Sequence, residues 1–226
     1  MRKGIAVSAA AAISAGVLSA APASAAPLRV PGPDGVTIEI ATVNGSGCPA
    51  GTAAVAVSDD KEAFTVTYSD YMAQAGGSSG PTDFRKNCQI SMKVHVPQGF
   101  TYAIASTDYR GFAWLEPGAS GVEKASYYFQ GMPQTAAISH SIKGEYADNW
   151  QFTDTNDVAQ LVYKPCGEER NFNVNTELRV LKGTSDPAKT SFMSMDSTDG
   201  SIKTTYHFAW KQCPPVVTPA GREGTE

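Results

Sequence analysis

The chain has 226 residues, 42% of them hydrophobic and 18% charged, with a formal net charge of −4 and a sequence pI near 5.4. That composition excludes a disordered, collagen-like or coiled-coil chain. The acidic balance argues against a general nucleic-acid or anionic-membrane binder, which needs a surplus of Lys and Arg.

The N-terminus reads as an export signal. Arg2 and Lys3 form a basic start, Ile5 to Ala21 is an apolar, small-residue stretch, and Ala23-Ser24-Ala25 offers the small side chains that signal peptidase accepts. The stretch is too rich in Ala, Ser and Gly for a membrane anchor. Cleavage after Ala25 leaves 201 residues with net charge −6, since Arg2 and Lys3 depart with the leader. The expected product is secreted, extracellular and free of the membrane. Its parts are an extension at 26–35, a domain at 36–213 and a loosely ordered polar tail at 214–226.

Strand signals run through the whole domain. Val36, Ile38 and Ile40 alternate with polar residues. Ala53–Val57 and Phe64–Tyr68 flank the turn-like Ser58-Asp59-Asp60-Lys61. Between Cys88 and Val96 one face carries Cys88, Ile90, Met92, Val94 and Val96, and the other Gln89, Ser91, Lys93 and His95. Phe100, Tyr102 and Ile104 alternate next. Strands seldom exceed about 10 residues, so Gly111 reads as a bulge or break before a second piece, Phe112–Leu115. Further strands are expected at Glu123–Phe129, Ala137–Lys143, Trp150–Thr153, Val174–Leu181 and Ile202–Trp210. Gly76–Gly80 reads as a flexible loop and 183–201 as a polar connection. No 3.6-residue stripe supports a long helix. About nine or ten short strands predict an all-β antiparallel β-sandwich, with a β-barrel as the alternative.

Four cysteines in an exported chain predict two disulfides. Of the three pairings, Cys48–Cys88 with Cys166–Cys213 is favoured because each clips a neighbouring segment. In the chain-entropy model, loops of about 40 residues contribute roughly 4 kcal/mol each, less any strain. No CxxC pair points to zinc.

Catalytic motifs do not hold up. Gly76-Gly77-Ser78-Ser79-Gly80 fits G-x-S-x-G, but a nucleophile elbow needs a helix after it and none is expected. His95, His140 and His207 lack metal spacing. Asp196-Ser197-Thr198-Asp199-Gly200 lacks the ligand series of a calcium loop and reads as a turn, and Asp154-Thr155-Asn156-Asp157 is no stronger. Two binding features remain. Asn173, Asn175, Glu177 and Arg179 form a polar row on one strand face, able to hydrogen-bond a sugar or peptide, although solvated sheet faces look alike. Tyr109, Arg110 and Trp114 lie in an aromatic segment that offers stacking, although core packing also uses such residues.

Gly45-Ser46-Gly47-Cys48-Pro49, Arg85-Lys86-Asn87-Cys88-Gln89, Pro97-Gln98-Gly99-Phe100, Asp108-Tyr109-Arg110-Gly111, Tyr127-Tyr128-Phe129-Gln130-Gly131, Pro165-Cys166-Gly167, Asn173-Val174-Asn175 and Trp210-Lys211-Gln212-Cys213 occur in that order. In this the chain resembles a secreted four-cysteine domain-of-unknown-function family of filamentous fungi and high-GC Gram-positive bacteria, over roughly residues 36–213. The resemblance implies a secreted domain and carries over no catalytic residue. The expectation is therefore a non-catalytic extracellular binding or surface-associated module for glycan or a cell-wall component, without a cofactor. The alternative is a secreted hydrolase whose site forms only in the fold.

Overall fold

The computed structural model describes residues 30–195 and 203–215. The expected leader, the Asp196–Gly200 turn, the start of the last strand at Ile202 and most of the C-terminal tail lie outside the described residues. Two antiparallel sheets stack face to face. The five-stranded sheet runs β1 (Thr37–Asn44), β5 (Arg85–His95), β10 (Phe172–Leu181), β7 (Ser120–Phe129), β8 (Ile138–Lys143). The seven-stranded sheet runs β2 (Ala53–Val57), β3 (Ala63–Tyr68), β12 (Thr204–Gln212), β6 (Phe100–Leu115), β11 (Thr190–Ser194), β4 (Met72–Gly76), with β9 (Tyr146–Thr155) on the other edge of β6. A 3-10 turn at Val158–Gln160 is the only helical element among the described residues. The protein is thus a β-sandwich, and the sheets do not close into a barrel.

Alternation places the core as expected. In β10 the buried Phe172, Val174, Thr176, Leu178 and Val180 interleave with half-buried Asn173, Asn175, Glu177 and Arg179. In β5 Cys88, Ile90, Met92 and Val94 point inward. Aromatic rings tie the layers together. Phe64 stacks on Tyr206 at 4.8 Å, Tyr102 meets Phe208 edge-on at 5.2 Å, and Phe172 reaches Phe64, Tyr102 and Tyr206 across the interface. Such pairs add about 0.5–1.5 kcal/mol each beyond the area they bury. The cystines are Cys48–Cys88 and Cys166–Cys213, with no free thiol.

Four expectations change. The strands number twelve among the described residues. Two short ones were missed: β11 inside the stretch read as a connection, and β4 ahead of the Gly76 loop. That loop, read as flexible, is tied down by Gly77 N–H to Pro187 O at 2.9 Å and Ser79 Oγ to Gly76 O at 2.7 Å. Gly111 does not break the chain, because β6 continues for 16 residues, sustained by β12 and β11 in turn along one edge and β9 along the other. The bulge falls instead at Ala105, where His207 pairs with Ser106 and Phe208 with Ile104. One extra residue reverses the faces of β6. Tyr102 and Ile104 point inward before it, and Thr107, Tyr109, Ala113 and Leu115 after it.

Candidate binding surfaces

The reversal at Ala105 decides what the outer face of the seven-stranded sheet displays. Asp108, Arg110, Phe112 and Trp114 now point outward. Trp114 pairs with Phe192 of β11 and Ala147 of β9, and Phe112 with Ser194 and Asn149. Phe192 in turn pairs with Gln74 of β4, and Ser194 with Met72. The rows bring Trp114, Phe112, Phe192 and Met72 into one apolar strip. Trp114 is 47% and Met72 40% exposed, and the Phe112 and Phe192 rings lie 5.9 Å apart. Glu116 holds the edge, accepting from Trp114 Nε1 at 3.3 Å and Lys189 Nζ at 3.0 Å. The Lys189 bond first, and that from Trp114 after it, hold its carboxyl below the ordinary range.

Polar groups continue along this face. Gln151 pairs with Arg110, and Thr153 with Asp108. Asp108 accepts from Thr153 Oγ1 at 2.6 Å and meets His207 Nε2 at 2.9 Å. Burial opposes ionisation of Asp108, but these two contacts outweigh it and hold the carboxyl below its usual range. A nucleophilic triad needs the hydroxyl on the imidazole. Here Thr153 donates to the carboxylate instead, so no base activates it.

Of the aromatic segment, Arg110 and Trp114 are thus at the surface. Tyr109 is 1% exposed and belongs to the core. Gly111 sets how closely the layer beneath the strip packs. A Cβ there would stand 2.0 Å from Ser194 O and 2.2 Å from the Trp150 ring, so only glycine lets the ring of Trp150 pack beneath β6.

The five-stranded sheet carries the other surface. Its outward rows are Asn87–Glu177–Lys124 and Gln89–Asn175–Ser126, with Ser91–Asn173–Tyr128 alongside. Residues after β7 fold back as a wall, where Gln134 Nε2 donates to Ser126 Oγ at 2.5 Å and Thr135 N–H to Tyr127 O at 3.0 Å. The result is a groove of about 420 Å³ that includes Asn175 and Glu177 of the expected row. Glu177 is gripped from both sides. Arg85 Nε donates to its Oε2 at 2.8 Å and Arg179 Nη2 to its Oε1 at 2.6 Å. Burial works against ionisation, but the two guanidinium groups prevail and keep the carboxyl below the ordinary range. Asn173 lies one row outside the groove, with its amide aimed at Tyr128 O and Asn171 O.

Between the sheets sits a cluster that the sequence reading missed. Glu123 on β7 is fully buried, and neither carboxylate oxygen has a hydrogen-bond partner among the described residues. Burial, reinforced by Asp154, pushes its pKa well above the usual value. Opposite it His140 joins Asp154 at 2.7 Å and stacks on Phe152 at 4.4 Å. Glu123 is sealed from solvent and cannot touch an external substrate. His95 is exposed at the end of β5, three strands from His140 in the same sheet, and His207 is on the outer face of the seven-stranded sheet, so the three histidines do not converge. No group of three or more His, Cys, Asp or Glu among the described residues could hold a metal ion. Ser78, the serine of the G-x-S-x-G match, is exposed in a turn that leads to β5 and not to a helix, and its neighbour Ser79 donates its hydroxyl to Gly76 O.

Residues 34–213 match the family described as a domain of unknown function (DUF4360). The chain is also similar to a protein of Arthroderma benhamiae named "Uncharacterized secreted protein", with 36% identity over 185 residues, covering 82% of this chain and 75% of the relative.

Proposed function

From the premise that the chain belongs to the DUF4360 family, we propose that it is a non-catalytic extracellular module that binds a glycan or another cell-wall component. The secreted name of the fungal relative supports an extracellular setting, as does the leader-like N-terminus. The extension of the family to high-GC Gram-positive bacteria belongs to the same reading.

The observation that carries the proposal is the strip of Trp114, Phe112, Phe192 and Met72, bordered by Arg110, Asn149 and Gln151. Aromatic faces pack against the apolar faces of sugar rings, and neighbouring amides and guanidinium groups take up their hydroxyls. A strip spread over β6, β11 and β4 on an outer sheet face suits an extended, ordered polymer better than a small molecule, which prefers a concave pocket. The hydrolase alternative rests on two pairs, His207–Asp108 and His140–Asp154. The first lacks an activated nucleophile, and the second neighbours a sealed carboxyl.

The test is co-sedimentation with insoluble polysaccharides and cell walls, run beside glycosidase, esterase and protease panels. Saturable binding without turnover is the expected result. Turnover lost on replacing Asp108, His207, Asp154 or His140 would establish the hydrolase instead.

A further inference from the structure

The groove on the five-stranded sheet lies on the face opposite the aromatic strip and has a different character. No aromatic side chain lines it, and its walls are amides, hydroxyls and charges. Its charge balance runs against that of the chain. Two cations, Arg85 and Lys124, line it against the single carboxylate of Glu177, in a protein with net charge −4, and Arg179 grips Glu177 from outside the lining. Glu177 is committed to the two arginines. Lys124 faces it in register across β7 and β10, yet no carboxylate lies within ion-pair distance of its amine among the described residues. A cation left over beside the Arg85 guanidinium is a recognition element for an anion, since charge-assisted bonds to such groups are roughly twice as strong as neutral ones.

The neutral part of the lining specifies the rest of the ligand. Asn87, Gln89, Asn175 and Gln134 can each donate and accept, and Ser126 and Thr135 add hydroxyls. A peptide held by strand addition requires a free sheet edge. The groove instead straddles β10, whose two edges are both occupied, by β5 and by β7. A peptide would find no free strand edge on β10 and no large apolar side chain to pack against. A hydroxyl-rich chain bearing anionic groups finds both of its needs met. The volume of about 420 Å³ is within the ordinary range for small-ligand sites, about 300–1,000 Å³.

We propose that this groove is a second binding site, specific for a glycan or polyol chain that carries carboxylate or phosphate groups, with Lys124 as the residue that selects for the charge. It acts independently of the aromatic strip. The two sites together let one molecule contact two polymers from opposite faces.

Titration calorimetry with the full mature chain tests it, using short oligogalacturonate as the carboxylate probe and a glycerol-phosphate oligomer as the phosphate probe. Uncharged oligogalactose and an oligoglutamate peptide are the controls. Binding of either acidic chain, weakened about tenfold as salt rises from ~0.05 to ~0.5 M, is expected. The probe that binds identifies the anionic group. Lys124→Glu should lower affinity at least tenfold, and Lys124→Gln by less. Trp114→Ala should leave it unchanged, which separates this site from the strip whatever becomes of the strip's own ligand. Lys124 is exposed at the surface, so both variants should fold. The proposal is overturned if neither acidic chain binds, if the uncharged chain or the acidic peptide binds as tightly, or if Lys124→Glu has no effect.

Discussion

Glu123 and His140 face each other in register across β7 and β8, but only the imidazole has a partner, Asp154 at 2.7 Å on the opposite sheet. The carboxyl has no hydrogen-bond partner among the described residues. Asp154 on β9 and the phenols Tyr109, Tyr68, Tyr71 and Tyr206 are the groups coupled to it electrostatically. Its folded pKa lies above its unfolded one, so the folded state keeps a proton that the unfolded chain releases once the pH passes the ordinary carboxylate range near ~4.3. Its contribution is therefore unpenalised at low pH and turns against folding as pH rises toward the folded pKa. Each unit of upward displacement costs about 1.4 kcal/mol above that pKa. Glu123→Gln should accordingly raise stability at pH 7 and gain little at pH 4. Urea melts of both proteins across that interval check the slope. Equal gains at both pH values would contradict the assignment.

Gly111→Ala should lower stability by about 1–3 kcal/mol or more, because the new methyl overlaps both the Ser194 carbonyl and the Trp150 ring. The carbonyl belongs to a paired strand and the ring is buried, so neither can step aside cheaply. A thermal melt reads the loss, and the near-ultraviolet signal of Trp150 should change with it. An unchanged melting temperature would show that the strand relaxes there.

The two cystines should respond differently to reductant. Cys48 and Cys88 are buried, at 0% and 1% exposure, whereas Cys166 is exposed and Cys213 half-exposed. Thiol–disulfide exchange requires access for the attacking thiolate. Mild reduction followed by alkylation and peptide mapping should label Cys166 and Cys213 first. Without reductant no cysteine should label. Replacing both members of the Cys166–Cys213 pair by Ser should cost about 2–5 kcal/mol.

Trp114→Ala should abolish or weaken polymer binding at least tenfold while costing under about 1 kcal/mol of stability, since the ring is 47% exposed. Co-sedimentation beside a urea melt separates the two effects. Phe192→Ala should weaken binding to a lesser degree, because that ring is only partly exposed.

Much of this architecture is local, and local properties are written in residue order. Side chains in a strand alternate with period two whatever lies around them, so the core faces of β5 and β10 and the row Asn173–Asn175–Glu177–Arg179 follow from the sequence alone. The cysteine pairing is equally close to the surface of the sequence, because each bond closes a loop between neighbouring segments. Short strands carry too few residues for a pattern, and so β4 and β11 were hidden among small and polar residues.

The candidate sites depend on what the sequence does not carry. Alternation counted forward from Tyr102 and Ile104 puts Tyr109 outside and Trp114 inside. The single bulged residue Ala105, fixed only by pairing with β12, reverses both. Phe192 joins Trp114 only because β11 docks on the edge of β6. Lys124, Arg85 and Glu177 share one groove only because β7, β5 and β10 lie side by side. Glu123 reads like any solvated strand carboxylate until the second sheet covers it. Periodicity assigns each side chain a face, but register and sheet order decide which faces meet and which bear on water, and those are set by contacts between residues far apart in the chain.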